Sequence, residues 1–192
     1  MRYAVNKKLV TTMPIITSVW RYTRTAIALH WTLVVLLTLM AALGWYMMSI
    51  EDDPGSDWYF DTHKSMGLVI ALLIAARIAW RLTHRPQALP ARLPEWQCGL
   101  ARGTQVLLYV VMVLMPITGY IGASYSKERV QWFGFAMPQW TSPDHDRAEL
   151  FFGIHSVLIW ILVTLVSVHA LGALKHLLID KDGVFQRMWI RH

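Results

Sequence analysis

Cysteine is nearly missing from this chain: Cys98 is the single one among 192 residues. One thiol excludes an internal disulfide, a covalent Cys-x-x-Cys-His cofactor attachment and a cysteine-ligated metal cluster. Charge is scarce as well. Asp, Glu, Lys and Arg make up 16% of the residues, against about 25% in an ordinary soluble domain. No Gly-rich phosphate loop, nucleophile elbow or internal repeat occurs. None of the polar segments is long enough to hold a soluble catalytic domain. The stretch before Tyr22 lacks a long apolar core and a small-residue cleavage site, so it does not read as a secretory signal.

What is abundant is apolar surface. The chain is 55% hydrophobic, with ten Trp. Four runs stand out, over residues 26–48, 63–82, 104–123 and 150–174. Each has about 20 residues or more, enough to cross a hydrocarbon core of about 30 Å as a helix. No alternating strand pattern competes, and in lipid a helical bundle satisfies this much backbone. The fold class expected is all-α, an integral membrane four-helix bundle, with residues 21–192 as one domain. Lys and Arg set the orientation. They cluster before the first run (Arg2, Lys7, Lys8, Arg21, Arg24), between the second and third (Arg85, Arg92, Arg102) and after the fourth (Lys175, Lys181, Arg187, Arg191). The segment SIEDDPGSDWYFD has neither residue. Positive-inside logic therefore places both termini in the cytoplasm, with residues 1–20 as a short extension there. The net charge of +6 is mostly this bias, suited to anionic lipid and not to nucleic acid.

Eight His occur. His84, His145 and His192 fall in loops or the tail and read as solvated. His30, His63, His155 and His169 fall inside the apolar runs, where an ionisable group is costly and usually faces the bundle interior. His155 and His169 are fourteen residues apart. Two heptads put both on one seam, roughly 21 Å apart along the axis. By direction of travel, His30 matches the depth of His169, and His63 that of His155. Two imidazoles at one depth on facing helices can clamp a flat macrocycle, one on each face of a haem iron. Gly44 lies fourteen residues after His30 and is expected beside the outer pair, where a missing side chain admits a porphyrin. Arg77 lies fourteen after His63 and is expected to reach the inner pair, with Arg81 one turn further on. Haem propionates are anionic partners that a buried guanidinium suits. Lys64 could serve an outer propionate. His176, at the end of the fourth run, could meet lipid headgroups or compete with His169. Pro116 and Gly119 read as a kink in the third helix.

The segments RYTRTAIALHW, THKSMG with ARIAWR, MPITGY, and HSVLIWILVTLVSVHALGALKHLLIDKDGVFQRM stand in that order over residues 21 to 190. Together they resemble the bacterial cytochrome b561 family of membrane cytochromes. The resemblance implies a four-helix inner-membrane bundle holding two non-covalent b haems. It carries the axial-ligand role to His30, His63, His155 and His169, and implies electron exchange with the quinone pool, ubiquinone included. Some members serve larger redox enzymes, and at least one oxidises superoxide and reduces ubiquinone. The six-span ascorbate-dependent proteins of similar name are a different case, since this chain has four spans.

The expected function is transmembrane electron transfer through two bis-His b haems in the respiratory membrane, linked to quinone. Three alternatives stay open. One is an electron carrier for a periplasmic redox protein that docks on the acidic outer loop. Another is superoxide oxidation coupled to ubiquinone reduction. Against it stand Glu51, Asp52, Asp53, Asp57 and Asp61, an outer field that repels an anion. The third is a His-lined transporter without haem.

Overall fold

The computed structural model describes residues 20–90, 93–127 and 130–190. Four helices account for most of them: α1 (Arg24–Ser49), α2 (Asp57–Thr83), α3 (Glu95–Tyr125) and α4 (His145–Lys175). All four are long and apolar enough to cross a membrane. Between α3 and α4 sits a two-stranded antiparallel hairpin, β1 (Gln131–Trp132) and β2 (Phe135–Ala136). A π-helical turn, His176–Asp180, prolongs α4, and a 3-10 turn, Phe185–Met188, follows it. Each helix contains its apolar run and extends beyond it. As a result Cys98 and Arg102 belong to the opening turns of α3, and His145 is the first residue of α4 rather than a loop residue. Both Pro116 and Gly119 lie within α3, which continues through them. Residues 1–19, Arg92, Glu128, Arg129, Arg191 and His192 lie outside the described residues.

The helix starts follow local chemistry. Thr23, in extended conformation, accepts from Ala26 N through Oγ1 at 3.3 Å, and Asp144 accepts from Arg147 N at 3.1 Å. Side-chain oxygens at an N-cap satisfy amides that have no partner inside the helix. Hydroxyls within the spans turn back on their own helices: Thr38 donates to Val34 O, Thr164 to Trp160 O and Ser167 to Val163 O. That keeps a hydroxyl satisfied where no water is at hand.

Burial is confined to the seams. Leu33, Ile70 and Ile74 form one cluster between α1 and α2. Val111, Leu158 and Leu162 form another between α3 and α4. Met112 packs against both. Facing outward are Leu39, Leu72, Val106, Trp160 and Leu171, all more than 60% exposed. An aqueous surface does not carry such a belt, and lipid does. Helix association in lipid depends on close packing, with small residues at the seam. Gly122 is such a residue: a Cβ there would lie 2.8 Å from the Phe152 ring.

Two ends can be told apart. At the terminal end, Tyr22 N donates to Arg187 O at 3.1 Å and Trp31 Nε1 to Met188 O at 2.9 Å, so the C-terminal segment closes over the start of α1. The opposite, hairpin end carries the α1–α2 loop and the strands. There the Ser65 hydroxyl donates to Gln131 O at 3.2 Å and accepts from Phe133 N at 3.0 Å, which ties β1 to α2.

Candidate functional site

Histidines from three helices meet inside the bundle at two levels. His30 of α1 and His169 of α4 stand with ring centroids 6.2 Å apart at the terminal end. His63 of α2 and His155 of α4 stand 6.3 Å apart at the hairpin end. The apolar clusters containing Leu33, Ile70 and Leu158 fill the seams between the levels. The rings that face each other are thus those of matching depth along the helices.

The surroundings of the two levels differ. At the hairpin end His155 Nδ1 lies 2.9 Å from Met115 O and 3.4 Å from Thr118 Oγ1. A carbonyl only accepts, so Nδ1 carries the proton and Nε2 keeps its lone pair. Met115 immediately precedes Pro116, whose missing N–H loosens the helix there. Glycines stand against both rings. A Cβ on Gly44 would be 3.3 Å from His63 Cε1, and one on Gly119 would be 3.2 Å from His155 Cε1 and Nδ1. Gly44 was expected at this level. Gly119 also makes room for the His155 ring through its lack of a side chain. Nδ1 of His63 is buried and has no hydrogen-bond partner among the described residues.

At the terminal end the neighbours are cations. Arg77 donates to Ala26 O at 3.0 Å, and its Nη2 lies 3.3 Å from His30 Nδ1. Arg81 donates to Tyr22 Oη at 3.0 Å and to Gln105 Oε1 at 2.8 Å. Neither guanidinium has a carboxylate partner among the described residues. Both line a cleft with Tyr22, Trp80, Tyr109 and Met188. Lys64, assigned above to an outer anion, has Asp61 at 3.3 Å. His176 is engaged elsewhere, with Asp182 Oδ2 at 2.7 Å and Asp180 Oδ2 at 3.3 Å. His84 stacks on Trp80 with centroids 4.0 Å apart, and His145 faces Glu149 at 3.4 Å.

These residues fit an iron porphyrin. Two metal–nitrogen bonds of about 2 Å each, with half a ring on either side, add to about 6 Å between ring centres. Both pairs have that spacing. The proton on His155 Nδ1 leaves Nε2 for the metal, the usual arrangement of a ligating imidazole held by a carbonyl. Gly44 and Gly119 leave space beside the rings. Arg77, beside His30, and Arg81, in the same cleft, have no carboxylate partner among the described residues, and porphyrin carboxylates are anions of the right kind. On His30 the contact is of the other kind: Arg77 only donates, so Nδ1 accepts in this arrangement.

A four-helix membrane protein with facing histidines inside its spans has the architecture of a haem-binding membrane cytochrome. Comparison with known proteins gives the same class and narrows it. The sequence model of the prokaryotic cytochrome b561 family matches residues 21–190, and the chain belongs to that family. It is 30% identical to cytochrome b561 homolog 2 of Escherichia coli K12 over 173 residues, covering 88% of this chain and 90% of that one. Against cytochrome b561 homolog 1 of the same organism the identity is 28% over 178 residues, with 89% and 98% covered. A protein of Yersinia pestis named probable superoxide oxidase CybB is 27% identical over 170 residues, with 88% and 95% covered. The chain is therefore a multi-pass bacterial membrane cytochrome that binds b-type haem and transfers electrons.

Proposed function

We propose that the chain carries electrons across the bacterial inner membrane through two b haems and exchanges them with the quinone pool. His30 and His169 hold one haem, and His63 and His155 the other. The observation that carries this is the repeated ring spacing, 6.2 Å and 6.3 Å, at two levels of one bundle. Haem bound there supplies reversible one-electron chemistry at its iron. Two imidazoles per iron leave no coordination position for substrate, so the protein's task is to bind, orient and bury. Met115 O fixes the ring of His155, and Gly44 and Gly119 set how closely α1 and α3 approach. Arg77 and Arg81 bind the carboxylates of the terminal-end haem. The seams of Leu33, Ile70, Ile74, Val111, Leu158 and Leu162 exclude water between the levels.

The terminal end faces the cytoplasm in this reading. Arg21, Arg24, Arg85, Lys175, Lys181 and Arg187 gather there, while the α1–α2 loop carries Glu51, Asp52 and Asp53. That acidic face suits a positively charged periplasmic redox protein as donor. A reduced-minus-oxidised spectrum of purified protein, with haem quantified per chain, tests the core of the proposal. Two low-spin b haems per chain are expected. One haem overturns the second pairing, and none leaves a His-lined transporter. Reoxidation of the reduced protein by a ubiquinone analogue in proteoliposomes tests the acceptor.

Superoxide oxidation is a second reading, favoured by the Yersinia pestis relative. An acidic loop repels superoxide, so in this reading the rate rises with ionic strength. Stopped-flow mixing at two salt concentrations separates it from docking of a basic protein, which salt weakens.

A further inference from the structure

We propose that the α3–α4 hairpin is a membrane-inserted element: residues 130–140 lie in the lipid leaflet at the hairpin end, level with His63 and His155, with Phe133 and Phe135 against lipid. Three independent observations point there.

The first is composition. VQWFGFAMPQW, Val130 to Trp140, has four aromatics and no charged residue. Both neighbouring segments are charged, with Lys127 before it and Asp144, Asp146 and Arg147 after it. Phe133 is 59% exposed, Phe135 74% and Trp140 69%.

Depth is the second. The strands do not stand out from the end of the bundle. Ser65, which holds β1, is eight residues into α2, about 12 Å along the helix from its start. It is two residues beyond His63. On the other side Tyr120 Oη donates to Pro138 O at 3.1 Å, and the Tyr120 and Trp140 ring centroids are 6.2 Å apart. Tyr120 is five residues before the end of α3 and adjoins Gly119, which touches His155. The segment has thus doubled back along the bundle to the level of the histidine pair. Its exposed rings continue the lipid-facing belt of the helices.

Third, much of the backbone is satisfied within the chain, with the open outer edge of β2 left for the headgroup level. Gln131 pairs with Ala136 and Trp132 with Phe135, and Met137 N donates to Val130 O at 2.9 Å. On the α2 side Ser65, only 3% exposed, takes up Gln131 O and Phe133 N. Satisfied backbone groups are the condition for entering lipid. The turn itself has both central residues left-handed, Phe133 at φ 48° and Gly134 at φ 86°. Such turns strongly favour Asn–Gly. A phenylalanine there is conformationally unfavourable, and in water its exposed ring would be unfavourable too. At the headgroup–acyl boundary, the ring is buried in lipid. A soluble partner would approach from water, where the exposed side chains of the α1–α2 loop are acidic.

The test uses full-length protein in lipid nanodiscs, with Phe135→Cys in a Cys98→Ser background labelled with an environment-sensitive fluorophore. Asp52→Cys is the aqueous control. Lipid insertion gives blue-shifted emission at position 135, quenching by nitroxide-labelled phospholipid and loss of quenching by iodide. Iodide quenching equal to that at position 52, with no effect of the nitroxide lipid, overturns the proposal and leaves a docking surface for a soluble protein. If the variant does not assemble, the unmodified chain decides. Irradiation with a diazirine phospholipid labels residues 130–140 if they lie in the leaflet. Adducts confined to the four helices overturn it.

Discussion

The two histidine levels have one geometry and two settings. Ring centroids are 6.2 Å apart at the terminal end and 6.3 Å at the hairpin end. Yet the terminal pair has Arg77 beside it, with Arg81 in the adjoining cleft, and the hairpin pair is flanked by Gly44 and Gly119 and held by a backbone carbonyl. The ring spacing is thus common to both, and what distinguishes them is charge and space. A buried cation near a redox centre favours the electron-rich state, whereas a neutral, close-packed setting does not. With a haem at each level, as proposed above, the terminal-end one would be the more easily reduced, which would give the bundle an electrical direction.

The largest effect expected separates the sites outright. His63→Ala or His155→Ala removes the hairpin-end haem, and His30→Ala or His169→Ala the terminal-end one. Each variant falls from two haems to one per chain, with different residual spectra for the two classes. Identical residual spectra would mean that the pairing by depth is wrong.

Space comes next. Gly119→Val places branched carbon where even a Cβ is 3.2 Å from His155. Overpacking typically costs about 1–3 kcal/mol, roughly a 5-fold to 150-fold loss of haem retention at that site. The terminal-end haem is expected to stay, as read by haem titration of the variant.

Charge is third. Arg77→Gln lowers the midpoint potential of the terminal-end haem by about 60 mV, a tenfold change in its one-electron equilibrium. Redox titration should show the hairpin-end potential almost unmoved. A smaller effect is expected from Lys64→Gln. Its ammonium pairs with Asp61 at 3.3 Å in a partly solvated setting. Such pairs contribute little, so the hairpin-end potential moves by less than about 20 mV. A shift as large as that of Arg77→Gln would restore Lys64 as a ligand for a haem carboxylate.

Much of this was legible in the sequence because membrane helices obey two simple periods. Length in lipid gives the spans, and fourteen-residue offsets give depth and face together. That is why His30, His63, His155, His169, Gly44 and Arg77 were placed at their levels without coordinates. The same rule is silent on loops. Nothing in the spacing of residues 130–140 indicates that they fold back beside α2, because that rests on contacts from Ser65 and Tyr120, 66 and 18 residues away along the chain. Gly119 is a related case: three residues after a proline a glycine suggests a bend, and only the neighbouring helix reveals that it also makes room for the His155 ring.

By itself, then, the sequence determined the four-helix membrane fold, the family and the four intramembrane histidines, since hydropathy and helical period act along one chain. The tertiary structure decided which groups surround each ring. Met115 O on His155, Arg77 on His30 and Gly119 beside His155 are meetings between helices, and the physical reason is packing. Which faces touch depends on how side chains interlock across a seam, and no periodicity within one helix contains that information.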